Sequence, residues 1–329
     1  MLSFRFITKK LIRMAVLLFL VSVLTFSLVS ASPLDPLATN VGQAALGSMS
    51  PEQIARLEEY WGVGVPPVER FLAWAGDFFR GDFGVSLLYR QPVIRVIQAK
   101  LLNSLWLMAA AWILSGVAGF ALGILAGIKR GGAADKIISA YALLTASTPA
   151  FWLALVFLMV FAVWLGWLPI GLSVPIGVET AGVTMGDRIT HAILPVLTLS
   201  VTGISNIALH TREKMAEAME SDYVLFARAR GESMTRIVIQ HGIRNTLLPA
   251  MTLQFASISE IFGGSVLVEQ VFSYPGLGQA AVSAGLGGDV PLLLGITVIS
   301  AAIVFTGNLI ADILYRAVDP RIGRDGRRT

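Results

Sequence analysis

The chain has no cysteine among its 329 residues, and only 14% of them are charged, against roughly a quarter in an average soluble domain. The first absence excludes a disulfide framework and any Cys-ligated metal site. The second, with 55% hydrophobic residues and a mean hydropathy of +0.72, places the chain in a bilayer. No G-x-x-x-x-G-K-[ST] run occurs, so the chain carries no P-loop of its own. There is no G-x-S-x-G elbow. His191, His210 and His241 lie too far apart in sequence to form a local metal pair. With no nucleophile–base pair in the pattern, an intramembrane enzyme has nothing to rest on.

What the chain does have is long apolar runs. A span needs about 20 mainly apolar residues. Met14 to Ala31, Leu101 to Ile128, Thr190 to His210, Leu247 to Phe272 and Val290 to Tyr315 each qualify. The first is longer than a signal-peptide core and is followed by further spans, so it reads as an uncleaved helix. Ile137 to Ile170 is uncharged throughout; as one helix it would reach about 51 Å, too long for one crossing. It reads as one crossing, near Pro149 to Leu168, with a cytoplasmic extension bent at Pro149. The expected fold class is therefore all-α and polytopic, with six transmembrane helices.

Charge placement sets the orientation. Eighteen of the 25 Lys and Arg fall in residues 1–13, 129–136, 211–248 and 316–329. By the positive-inside rule these segments and both termini are cytoplasmic. The net charge of +4 is thus a topology signal and not a nucleic-acid footprint. Four parts follow: 1–31, tail and first helix; 32–100, an extracytoplasmic segment; 101–316, a five-helix core; and 317–329, a cytoplasmic tail.

In the outer segment, Ser50-Pro51-Glu52-Gln53 predicts a capped helix start with Pro at its first position. A second helix follows Pro66-Pro67, with Val68, Phe71, Leu72, Ala75, Phe78 and Phe79 on one face. That face suits either the membrane interface or the outer ends of the spans. Gly119, Gly123 and Gly127 repeat every four residues on one helix face. Small residues at this spacing let helix backbones approach closely, within the chain or on another subunit. Charges inside spans are functional candidates by default. Glu260 falls nearest mid-membrane and is the first candidate for lining a pathway; Glu269 lies closer to an end, where it can reach water.

Residues 212 to 248 hold the most information. A helix–helix connection needs about 2–8 residues, and this one has 37. Arg212 to Tyr223 reads as a charged helix that Ala227 to Arg230 continue and Gly231 ends in the left-handed conformation. Ser233 caps a second short helix, Met234 to His241, which Gly242 breaks before Leu247-Leu248-Pro249 re-enter the membrane. Ala227 and Ala229 are small enough to admit a partner, and Arg228, Arg230, Arg236 and Arg244 offer it ionic contacts. The alternative is a solvated basic loop held by anionic headgroups.

This stretch carries a resemblance. Asp222-Tyr223, Ala227-Arg228-Ala229-Arg230-Gly231 and His241-Gly242-Ile243-Arg244-Asn245-x-Leu-x-Pro249 resemble the coupling loop of permease subunits of bacterial ABC importers, nearest the dipeptide, oligopeptide and nickel branch. The general superfamily motif, Glu-Ala-Ala with Gly four residues after the last Ala, falls on Leu225, Phe226, Ala227 and Gly231, so two of its three leading positions differ here. Further matching stretches are Ser32-Pro33-Leu34-Asp35-Pro36, Gly81 to Leu87, Thr148 to Ala154, Trp164 to Pro169, Val268 to Gly278 and Asp319-Pro320-Arg321.

The resemblance implies a type I importer permease fold. It implies a second homologous permease subunit, two ATP-binding subunits and an extracytoplasmic substrate-binding protein as partners, in the inner membrane of a bacterium or archaeon. The chain itself would bind no cofactor; ATP and Mg would sit on the ATPase subunits, and the substrate would be a peptide or a nickel or other metal chelate. The competing expectation is a stand-alone secondary transporter or channel with Glu260 as its ion-binding or proton-binding group.

Overall fold

The computed structural model describes residues 4–32, 36–62, 64–178 and 182–318. The Pro33–Asp35 part of one matching stretch, the Asp319-Pro320-Arg321 stretch and most of the C-terminal tail fall outside them. The helices are α1 (Phe4–Ser30), α2 (Pro36–Val41), α3 (Gln43–Leu46), α4 (Pro51–Trp61), α5 (Pro67–Phe79), α6 (Val93–Ile128), α7 (Ala133–Ala146) and α8 (Ala150–Phe157). After α8 a π-helical stretch runs from Leu158 to Trp164, followed by α9 (Met185–Met219), α10 (Asp222–Ala229) and α11 (Met234–Ile237). A second π stretch (Val238–Ile243) leads into α12 (Arg244–Ala256), and α13 (Ile258–Val271), α14 (Leu277–Leu286) and α15 (Val290–Val318) complete the chain. Among the described residues the only β pairing is an isolated bridge between Val85 and Pro92. Four helices are long and apolar enough to cross a membrane, and two bent pairs bring the spans to six.

The chain divides into two compact units. One comprises Met1–Ser104 with Pro275–Phe305. Its α4 starts as the sequence predicts: Ser50 Oγ accepts from Gln53 N, Gln53 Oε1 accepts from Ser50 N, and Gly62 closes the helix at φ 66°. The apolar face of α5 divides in two. Phe71 packs on Phe26 of α1, with ring centroids 5.3 Å apart, and Trp74 and Phe78 extend the contact to Phe83. Val68, Leu72 and Phe79 remain exposed. Asp289 is buried and accepts from Ser86 Oγ (2.6 Å), Leu88 N (3.0 Å) and Leu292 N (3.1 Å). One carboxylate thus caps α15 and fixes the loop before α6.

The other unit comprises Leu105–Tyr274 with Thr306–Thr329. Its core gathers Leu107, Leu194, Leu199, Val268 and Phe272. Here the glycine repeat finds its partner within the chain. A Cβ on Gly119 would lie 2.8 Å from Ile207 Cβ, on Gly123 2.5 Å from Thr211 Cβ, and on Gly127 2.5 Å from Met215 Cβ. Four-residue steps on α6 match four-residue steps on α9, both rising, so the helices run parallel with backbones nearly touching. This settles the choice left open by the sequence, between a partner inside the chain and one on another subunit.

The uncharged run breaks where Pro149 predicts, with α7 and α8 at 106°. The fifth span is not straight: a 46° bend falls between Ala256 and Ile258. There the Gln254 carbonyl accepts from Trp112 Nε1 at 2.8 Å and from Ser257 Oγ at 2.8 Å. Side-chain donors entering the backbone ladder bend a helix, a cause that hydropathy does not register.

Candidate coupling segment and open helix faces

The segment 212–248 has a different architecture from the one expected. Arg212 to Met219 prolong α9 itself, and the chain turns at Glu220–Ser221 before α10 begins. Asp222 stands in the first turn of α10 and Arg228 in its last, each suited to the helix dipole there. Gly231, at φ 78°, ends the unit, with Glu232 N donating to Ala227 O at 3.1 Å. Ser233 caps the next helix by accepting from Arg236 N.

Gly242 does not break that helix. Residues 234–256 run on without interruption through the π stretch. Gly242 is buried at a close approach instead: a Cβ there would lie 2.5 Å from Met215 Cε, so the end of that side chain would have to move. A π stretch inserts one residue into the turn, so backbone bonding continues where an α-only reading expects a stop.

α10 has two faces. Val224 and Ala227 (4% exposed) pack against Met215, Met219 and Ile237, with Ile124, Ile128 and Val238 alongside. Ala227 therefore serves the chain's own core and offers no surface to a partner, which corrects that expectation. The outward face carries Leu225 and Phe226, each 66% exposed, beside exposed Asp222, Tyr223 and Ala229. Arg228, Arg230, Arg236, Arg244 and Asn245 are exposed around it. Asn245 Nδ2 donates to Tyr223 Oη at 3.1 Å and to His241 O at 2.8 Å, and the Tyr223 and His241 rings lie 5.9 Å apart. Glu232 approaches Arg230 at 3.8 Å and His241 at 3.9 Å. Pro249 is half-buried within α12. Two large apolar side chains thus stand in water on a short helix whose other side is anchored, an arrangement that suits insertion into a partner's groove.

Sequence reasoning missed the brace behind this segment. Arg212 donates twice to Asp135, Nε–H to Oδ1 at 2.6 Å and Nη2–H to Oδ2 at 2.8 Å. Gly131 N and Ser139 Oγ also donate to Asp135, whose side chain is 4% exposed. A bidentate pair of this kind is among the stronger and more directional contacts available. It joins the start of α7 to the part of α9 that leads into α10. Asp135 is the one acid between the second and third spans, the only sequence signal available.

The two pathway candidates separate. Glu269 is fully buried in α13 and does not reach water, which corrects that expectation. Glu260 is exposed and shares one face of α13 with Gly263, Leu267 and Gln270, all exposed. Nothing lies within 4 Å of a Cβ on Gly263. Beside this face, Ser259 Oγ donates to Asn308 Oδ1 at 2.7 Å. Asn206 and His210 form a second exposed polar pair on α9.

Up to six apolar spans, with the short helix α10 between the fourth and fifth, make the chain a polytopic membrane protein. The chain belongs to the family described as binding-protein-dependent transport system inner membrane component, which matches residues 119–324; the family's N-terminal membrane component matches residues 2–103. The chain is 37% identical over 305 residues to the oligopeptide transport system permease protein AppB of Bacillus subtilis, covering 92% of this chain and 94% of that one. It is 32% identical over 317 residues to the glutathione transport system permease protein GsiC of Escherichia coli K12, covering 96% and 98%. A chain of the MetNI methionine ABC transporter, solved in inward-facing conformations, matches with a TM-score of 0.55 at 16% identity, over 68% of this chain and 97% of that one. That likeness shows the polytopic importer-permease fold. Family membership sets aside the stand-alone secondary transporter.

Proposed function

We propose that this permease subunit passes short peptides across the inner membrane and takes its energy from ATPase subunits that grip α10. The observation that carries the reading is the pair Leu225 and Phe226, exposed on a helix whose opposite side is locked into the chain's core. They occupy two positions of the general Glu-Ala-Ala motif, so the contact offered here is apolar. Exposed Asp222, Tyr223, Arg228, Ala229 and Arg230 surround it, with Arg244 and Asn245 nearby. α10 packs on Met215 and Met219 of α9 and Ile237 of α11. A displacement of α10 is therefore delivered to two spans at once, and Gly231 provides the turn between them.

In this reading both termini are cytoplasmic. A second homologous permease covers the Glu260–Gly263–Leu267–Gln270 face, and the path runs between the two chains. Two ATP-binding subunits carry ATP and Mg, and an extracytoplasmic binding protein delivers the solute. The peptide class rests on the relatives named for oligopeptide and glutathione transport.

The test is Leu225→Ser with Phe226→Ser in the assembled complex. Removing two apolar anchors costs about 3 kcal/mol or more, at least a hundredfold in affinity. The ATPase subunits should no longer co-purify, while the second permease stays bound and the melting temperature of the permease pair is unchanged. Full retention of the ATPase subunits with normal peptide uptake would place the grip elsewhere.

A further inference from the structure

Asn206 and His210 on α9 and Glu260 on α13 stand exposed inside the spans, and none forms a hydrogen bond or ion pair with another described residue. The first basic residue of α15, Arg316, is two turns beyond Asn308, about 12 Å further along the helix. A carboxylate, an amide and an imidazole left against acyl chains are costly, so this surface meets water or polar groups and not lipid.

The three residues open on one side of the chain. α9 and the bent span Met234–Val271 run antiparallel: Met215 meets Gly242, and Leu199 meets Gly264, whose Cβ would lie 3.5 Å from Leu199 Cδ2. Seven residues on from Leu199, the same face of α9 carries Asn206; four residues back from Gly264, the same face of α13 carries Glu260. α6 seals the other side of both helices. It takes Ile207, Thr211 and Met215 at its glycine seam and Gln254 at Gly116. Those positions are turned about 100–180° from Asn206 and about 120° from Glu260. Toward the Met219 end of α9 the open side continues as a polar strip. Asn206, His210, Glu213 and Glu217, spaced i, i+4, i+7 and i+11, are all exposed. Measured from the Leu199–Gly264 contact, Glu260 lies about 6 Å and Asn206 about 10 Å along the pair, an offset of about one residue of extended peptide.

We propose that Glu260 takes the free α-ammonium of a peptide in transit and Asn206 its first peptide group, with the strip through His210 as the way onward. The subsite rests on the passage proposed above between two permease chains. An α-amino group titrates near 7.7–8.0 and arrives mainly as a cation, which a carboxylate without a partner complements. Asn206 offers one donor group and one acceptor, as a peptide group does.

Uptake into proteoliposomes holding the whole complex with its binding protein tests this, with trialanine and N-acetyl-trialanine as competing probes. The preference of the isolated binding protein between the two is measured separately and divided out. The wild-type complex should show a further preference for the free amine. Glu260→Gln should cut it about tenfold, as for loss of one charge-assisted contact, and Glu260→Asp should recover part of it. Asn206→Ala should slow both probes alike. An unchanged preference in an active Glu260→Gln complex would overturn the subsite. So would loss of the second permease from the Glu260→Gln complex on purification, which would make Glu260 an assembly contact. Absence of ATP-driven uptake of either probe by the wild-type complex would instead remove the peptide-permease reading, and the subsite with it.

Discussion

Replacing Gly123 by Ala adds one methyl group to the closest approach in the permease core. The new Cβ would stand 2.5 Å from Thr211 Cβ and 2.7 Å from the Ala208 carbonyl oxygen. Carbon atoms prefer about 3.5–4.0 Å, so α6 and α9 would have to part by about 1 Å. Neither obstacle is a flexible side-chain end. Overpacking of this kind costs roughly 1–3 kcal/mol, while Ala in place of Gly returns at most about 1 kcal/mol of helix propensity. The repeat raises the cost further, because separating the helices at Gly123 also loosens the contacts at Gly119 and Gly127. The net effect should be destabilising by about 1–2 kcal/mol. Gly76→Ala on α5 is the matched control, since nothing lies within 4 Å of its Cβ; there the propensity gain of up to about 1 kcal/mol stands alone. Thermal unfolding of the purified complex, followed by tryptophan fluorescence, should place Gly123→Ala below wild type and Gly76→Ala at or above it. If Gly123→Ala melts with or above wild type, the reasoning about the seam is refuted.

Four further outcomes are expected. Asp135→Asn should cost about 3 kcal/mol, the low end for breaking a buried pair, because Arg212 keeps partial contact with water; Asp135→Asn with Arg212→Gln should recover part of the loss in the same melt. Ala227→Leu should destabilise the permease itself by about 1–3 kcal/mol through overpacking, and equal melting of the variant and wild type would contradict the burial of Ala227. Gly231→Val should cost about 1–2 kcal/mol because its φ of 78° excludes β-branched residues; Gly231→Asn should cost less, since the space around the position is open, and equal costs would point away from backbone strain. Gly263→Leu should leave the single chain's melting unchanged and weaken recovery of the second permease on a tagged pull-down; unchanged recovery would place the partner on another face.

Hydropathy and punctuation made most of the architecture legible. The span count, the break at Pro149, the capping box at Ser50 and the left-handed Gly231 are local matters, decided within a few residues by sterics and backbone hydrogen bonding. The stretch proposed to dock stood out in the sequence as a long polar segment. Its exposed face did not, because the seven residues from Tyr223 to Ala229 can be divided between core and surface only when Met215, Met219 and Ile237 are in place. Gly242 was misread for a related reason: a glycine that permits a turn and a glycine that admits a methionine look alike in one dimension. The Asp135–Arg212 brace joins residues 77 apart in sequence, and no periodicity connects them.

The sequence by itself determined that this chain is a polytopic membrane protein of helices with a basic segment between its fourth and fifth spans, because burial in lipid demands long uncharged helices whatever packs beside them. Only the tertiary structure decided that the glycine repeat is an internal seam, that Glu269 is buried while Glu260 stays open, and that Leu225 and Phe226 face outward. Those assignments depend on which surfaces of distant helices meet, and contact between helices is a property of the packed chain, not of any one segment.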